Sequence, residues 1–128
     1  VKTDRIHDGG EEDFRIKIIE KNCWSKSLIE QDLSQTKFDV FFYDGNHSYE
    51  SQLKILQHFS PVLSDNLLLL VDDFCADIAP VVQKATWQAI ENSDYEILFH
   101  RVLYDSDITV GKPRKWHSGM LVAYLEKK

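Results

Sequence analysis

Glycine, proline and cysteine are all scarce in this 128-residue chain, at five, three and two copies. No repeat or low-complexity tract is present. The two cysteines, Cys23 and Cys75, lack any metal-ligand spacing, so no zinc site can be argued from them, and they read as two reduced thiols of an intracellular, cytoplasmic protein. Long apolar runs are missing too. The longest, Leu67 to Val71, is far too short to span a bilayer, and no signal-peptide pattern opens the chain, so no membrane partner is expected. Basic residues are outnumbered, 15 against 21 acidic, for a net charge of −6. That balance argues against general nucleic-acid binding, which needs a basic surface or stripe. The one basic cluster, Lys112, Arg114 and Lys115 with His117, fits a solvated loop or contact with an anionic substrate.

What is present describes a globular protein: 43% hydrophobic, 28% charged and 12% aromatic residues. The length suits a single domain, and we expect one over 1–128 with residues 1–13 as a polar, flexible arm. The chain opens on Val1 and its single methionine is Met120, which reads as a piece of a longer protein.

The pattern of elements alternates strand and helix. Arg15 to Ile19 is β-branched and reads as a short strand, and Ser25 as the cap of a helix through Leu28, Ile29 and Leu33. Phe38 to Tyr43 is an aromatic strand ending at the turn residues Asp44-Gly45-Asn46. Ser48 caps a helix carrying Leu53, Leu56 and Phe59, which Pro61 stops. Ser64-Asp65-Asn66 reads as a turn into Leu67 to Val71, whose lack of a polar face suits a parallel strand. Ile78 to Ile90 is a helix with Pro80 in its first turn. Tyr95 to Phe99 and Met120 to Leu125 are the last strands, joined by a polar loop over Asp105 to Gly119, so their pairing should be antiparallel. The fold class is α/β, with a mostly parallel sheet, helices on both faces and functional loops at strand carboxyl ends.

Asp44 and the pair Asp72-Asp73 stand at two of those ends. If the strands are neighbours, three carboxylates converge. Each like-charge pair at ~4 Å opposes folding by about 4 kcal/mol at an effective dielectric of about 20, before relaxation. A cation, a basic partner or a shared proton compensates such a cluster. Oxygen ligands select a hard cation, Mg²⁺ first, then Ca²⁺ or Mn²⁺. The same residues also fit simple turns and a helix cap. His47, three residues after Asp44, is the candidate base, and equally a loop-packing side chain. Tyr49, Trp87 and Trp116 read as packing residues.

The run Phe38-Asp39-Val40-Phe41-Phe42-Tyr43-Asp44-Gly45-Asn46-His47-Ser48-Tyr49-Glu50, followed by Leu67 to Val71 and Asp72-Asp73, resembles the class I S-adenosylmethionine-dependent methyltransferases. It is similar to the group with Asp-Gly-x-His-x-Tyr after the fourth strand and Asp-Asp after the fifth. Trp116-His117-Ser118-Gly119 entering the last strand adds to the likeness. The resemblance covers roughly Arg15 to Tyr124 and implies a Rossmann-like sheet with an antiparallel carboxyl-terminal hairpin. It implies divalent-metal ligands at Asp44, Asp72 and Asp73, His47 close to the substrate oxygen, and Asn22 near the adenine of S-adenosylmethionine.

Two parts of that pattern have no counterpart here: the glycine-rich loop after the first strand and the ribose-binding acid after the second. Ser64-Asp65-Asn66 also stands where relatives often carry Gly-Gly. The sheet is therefore expected to lack its first two strands. The leading expectation is the metal- and substrate-binding part of an O-methyltransferase, in which Mg²⁺ or a similar cation eases deprotonation of a small-molecule hydroxyl. The other is a non-catalytic methyltransferase-like remnant that self-associates through an apolar edge strand, as a homo-oligomer. A phospho-acceptor receiver is excluded, because its acidic pair precedes the single acid and here follows it.

Overall fold

The computed structural model describes residues 6–8, 11–13, 16–75, 80–104 and 118–128. The chain divides into two compact units, Val1–Ser34 and Gln35–Lys128.

Within the first unit, β1 (Ile6–Asp8) and β2 (Glu11–Asp13) pair antiparallel where the sequence reads as an arm. The strand expected over Arg15 to Ile19 does not form. Arg15 lies outside the described residues, and 16–19 show only a one-residue bridge at Ile18. The helix expected after Ser25 forms over 26–32 and widens over Leu28–Asp32, closed by Leu33 N–H on the Leu28 carbonyl at 2.9 Å. The Ser25 hydroxyl meets Ser27 Oγ at 2.9 Å, so it offers no cap to the backbone.

The second unit holds a four-stranded sheet in the order β3-β4-β6-β5, with β3 at Phe38–Tyr43, β4 at Leu63–Asp72, β5 at Tyr95–Leu103 and β6 at Met120–Lys127. β3 and β4 are parallel, while β6 runs antiparallel to both β4 and β5. The sheet is thus mixed and not mostly parallel, because the last strand inserts between β4 and β5 in reverse. The expected antiparallel pairing of the last two strands is present.

Ser64-Asp65-Asn66 is strand, not turn. Asn66 pairs with Glu126 of the long β6, and the Ser64 carbonyl accepts from the Tyr95 hydroxyl at 2.7 Å. Ladder pairing of the backbone outweighs the turn preference of these side chains.

Ser48 caps as expected, its Oγ accepting from Ser51 N–H at 3.2 Å. The helix it opens is split at Lys54 into α1 (Tyr49–Leu53) and α2 (Ile55–Phe59), and Pro61 sits inside a tight turn over Ser60–Val62. α3 runs Pro80–Glu91 with proline at its first position.

All three helices share one face of the sheet. Phe59 of α2 meets Phe41 of β3 at 4.9 Å between ring centroids, and α3 packs on α1 and α2. Within the second unit α1, α2 and α3 do not divide between the two faces, for a topological reason. The crossovers β3→β4 and β4→β5 advance in the same direction across the sheet, so one handedness brings both to one side.

The core lies between, from Ile55, Leu56, Val82, Ala85 and Ile90 against Leu67, Leu69, Val71, Leu121 and Leu125. Alternate residues point the other way, and two of them on edge strand β3, Val40 at 53% and Phe42 at 51%, are exposed.

Candidate functional site

Tyr43 of β3 pairs with Val71 of β4, so Asp44 and Asp72 leave the same end of two parallel strands side by side. Burial first, then the neighbouring Asp72 carboxyl, push the Asp44 carboxyl above the usual carboxylate range, with Asp73 adding to the effect and His47 opposing it. The Asp44 side chain keeps 56% of its exposure, and solvent screens much of the repulsion.

Asp73 follows with φ of 52°, in the left-handed region that aspartate tolerates better than most residues. The turn is pinned from the far end of the unit: Phe74 N–H donates to the Gly119 carbonyl at 3.3 Å, and Cys75 N–H to the Ser118 carbonyl at 2.7 Å. Gly119 has φ of +82°, and a Cβ there would stand 2.7 Å from that of Cys75.

His47 closes the cluster. Its Nε2 lies 3.1 Å from Asp73 Oδ2 and 3.7 Å from Asp44 Oδ1. One ligand atom each from Asp44, His47 and Asp73 falls within 4.8 Å of the others.

The loop that carries Asp44 and His47 is held at several points. The Tyr43 hydroxyl donates to the Asn46 carbonyl at 2.9 Å, Asn46 Oδ1 accepts from Ser48 N–H at 2.8 Å, and Ser48 caps α1. Behind the imidazole, Gln52 Nε2 meets His47 Nδ1 at 3.3 Å. Gln52 is fully buried, and its Oε1 has no hydrogen-bond partner among the described residues. Such an orphan opposes folding by about 1–3 kcal/mol.

The structure thus gathers four of the residues singled out in the sequence, Asp44, His47, Asp72 and Asp73, at one sheet end. Asn22 belongs to the first unit, where its Oδ1 accepts from Trp24 N–H at 3.0 Å and its carbonyl from Ser25 N–H at 2.9 Å. The basic cluster Lys112, Arg114, Lys115 and His117, together with Trp116, lies outside the described residues. Trp87 packs edge-on to Phe74 and His100. Gln52 was missed. Its signal was there: it falls three and four residues before the buried Ile55 and Leu56, a polar side chain in the apolar stripe.

A groove of about 580 Å³ elsewhere on the second unit, lined by Lys37, Lys54, Gln57, Asn92 and Tyr95 among others, includes none of the acidic cluster.

The model of a family described as a methyltransferase domain matches residues 11–74, half of the chain and the stretch that ends just past the Asp72-Asp73 pair. The chain belongs to this family. No curated protein matches it. Membership in a methyltransferase domain implies use of S-adenosylmethionine. Among the described residues no helix is long and apolar enough to cross a membrane.

The methyltransferase domain's residues fit the two implied groups unequally. Two carboxylates and an imidazole with ligand atoms within 4.8 Å, and a third carboxylate, Asp72, at the neighbouring strand end, suit a divalent cation. S-adenosylmethionine finds less. Gly45 and Gly119 are each packed against a side chain, Tyr43 and Cys75, so neither opens the backbone to a cofactor.

Proposed function

We propose that this methyltransferase domain holds a divalent cation through Asp44, Asp72 and Asp73, with His47 alongside, and acts on the hydroxyl of a small-molecule methyl acceptor. The observation that carries the reading is the convergence of the Asp44, His47 and Asp73 ligand atoms at the carboxyl ends of β3 and β4. When bound, the cation supplies Lewis acidity that lowers the pKa of a neighbouring hydroxyl. The carboxylates hold the charge in place, and the imidazole offers a proton acceptor beside it. When the His47 nitrogen instead joins the donor set, as a ligand and not a base, the preference moves from Mg²⁺ towards Mn²⁺ and later transition metals. Calorimetric titration with Mn²⁺ and Mg²⁺ tests this. Asp73→Asn should weaken binding by tenfold or more, and unchanged affinity would remove the assignment.

A second reading, a remnant that self-associates, draws support from the exposed Val40 and Phe42 on the edge strand β3. Apolar edges of this kind pair with other chains. In that reading a twofold homodimer forms, and sedimentation equilibrium at micromolar concentration separates it from a 14.9 kDa species.

A further inference from the structure

Gln52 occupies a position that packing alone does not account for. It has no exposed surface, its Oε1 lacks a partner among the described residues, and the one hydrogen bond its amide makes there is to His47 Nδ1 at 3.3 Å. The opposite nitrogen of that ring, Nε2, faces Asp73 at 3.1 Å and Asp44 at 3.7 Å. A neutral imidazole carries one proton, so whatever Nδ1 does decides what Nε2 presents to the carboxylates.

We infer that Gln52 is a positioning residue whose buried side-chain amide sets the tautomer of His47, and through it the state of the nitrogen facing Asp44 and Asp73. With Nε2 of Gln52 donating, Nδ1 of His47 accepts and the ring proton resides on its Nε2, directed at Asp73. Both ring nitrogens are then engaged, and His47 is neither ligand nor base. Turning the amide by half a revolution brings Oε1 to Nδ1, which must then hold the proton. The lone pair on Nε2 now faces the carboxylates, an arrangement that only a cation between them makes favourable. The proton that leaves Nε2 and the one that arrives at Nδ1 exchange through solvent, so the ring stays neutral. A partner behind a histidine commonly fixes ligand orientation in this way.

The second half of this inference rests on the cation reading; the first half does not. The test is nitrogen NMR of the protein labelled with ¹⁵N-histidine, at about pH 9, above the ordinary imidazole range of about 6.5. Without cation, His47 should show the Nε2–H tautomer. Gln52→Glu, whose carboxylate can only accept, should switch it to Nδ1–H. Gln52→Met, of similar length and apolar, should leave a mixture. Circular dichroism confirms that each variant is folded. Zn²⁺ alone, added to the wild type, should move the ring to Nδ1–H, and Gln52→Met should weaken its binding by about tenfold, within the range for partners of metal-bound histidines.

An Nδ1–H ring in the cation-free wild type overturns the inference. So does a folded Gln52→Met protein with an unchanged tautomer. If the tautomer follows residue 52 while no protein binds Zn²⁺, the positioning role stands and the cation reading fails.

Discussion

The Tyr43 side chain occupies the space that a Cβ on Gly45 would need, with two ring carbons and the hydroxyl oxygen 2.8 to 2.9 Å from that point. The same ring sends its hydroxyl to the Asn46 carbonyl, so one buried tyrosine shapes the loop between Asp44 and His47. Gly45→Ala should destabilise the fold by about 1–3 kcal/mol, the usual cost of overpacking. Tyr43→Phe, which loses the hydrogen bond to Asn46 and keeps the ring, should cost about 1 kcal/mol. Urea denaturation of both variants checks the order.

Gly119→Ala meets two obstacles at once, a left-handed backbone at φ of +82° and the Cys75 side chain at 2.7 to 2.8 Å. Its cost should be at least about 1–3 kcal/mol, as for other non-glycine residues held in that region. Adding Cys75→Ala removes the sulfur but leaves its Cβ and the backbone strain, so rescue should be partial. Thermal melts of the single and double variants test this.

Asp72→Asn should separate stability from binding. Asp44 is raised by burial and by Asp72, and a raised carboxyl contributes stability that is complete below the unfolded value near 4 and lost as pH rises through the folded one. Removing the neighbouring charge should stabilise the cation-free protein at neutral pH, by no more than about 1 kcal/mol in so exposed a setting. The gain should vanish below about pH 3, where carboxyls are protonated in both states. Cation affinity should fall in the same variant. Denaturation curves at both pH values, beside calorimetry with Mn²⁺, read the two effects.

Titration of the 128-residue chain with S-adenosylmethionine should show no micromolar binding. The described residues provide no open glycine backbone for it. A dissociation constant near 1 µM, about −8 kcal/mol, would show a site assembled by other means.

Residue chemistry at strand ends was the most legible part of this protein. The turn residues after Tyr43 and the acidic pair after Val71 are local signals, and the parallel register of β3 with β4 brings them together. Pairing partners were harder to read. Nothing local in Ser64-Asp65-Asn66 announces the ladder with β6, because that preference resides in a strand some sixty residues away. The split at Lys54 was likewise hidden, since Leu53, Leu56 and Phe59 keep helical spacing through it. Gln52 escaped for the opposite reason: its importance lies in one contact with His47, which spacing does not encode.

The break at Lys54 carries a kinetic consequence. α1 and α2 span five residues each, well below the roughly 12–15 at which an isolated helix becomes marginal in water. Neither persists without the sheet beneath it, so the backing of His47 by Gln52 exists only while the core around Ile55 and Leu56 is closed. Amide protons of 51–59 should therefore exchange through subglobal openings that also release the imidazole. Occupancy of the site and protection of these amides then become a single equilibrium, and a ligand weighing on one is felt in the other.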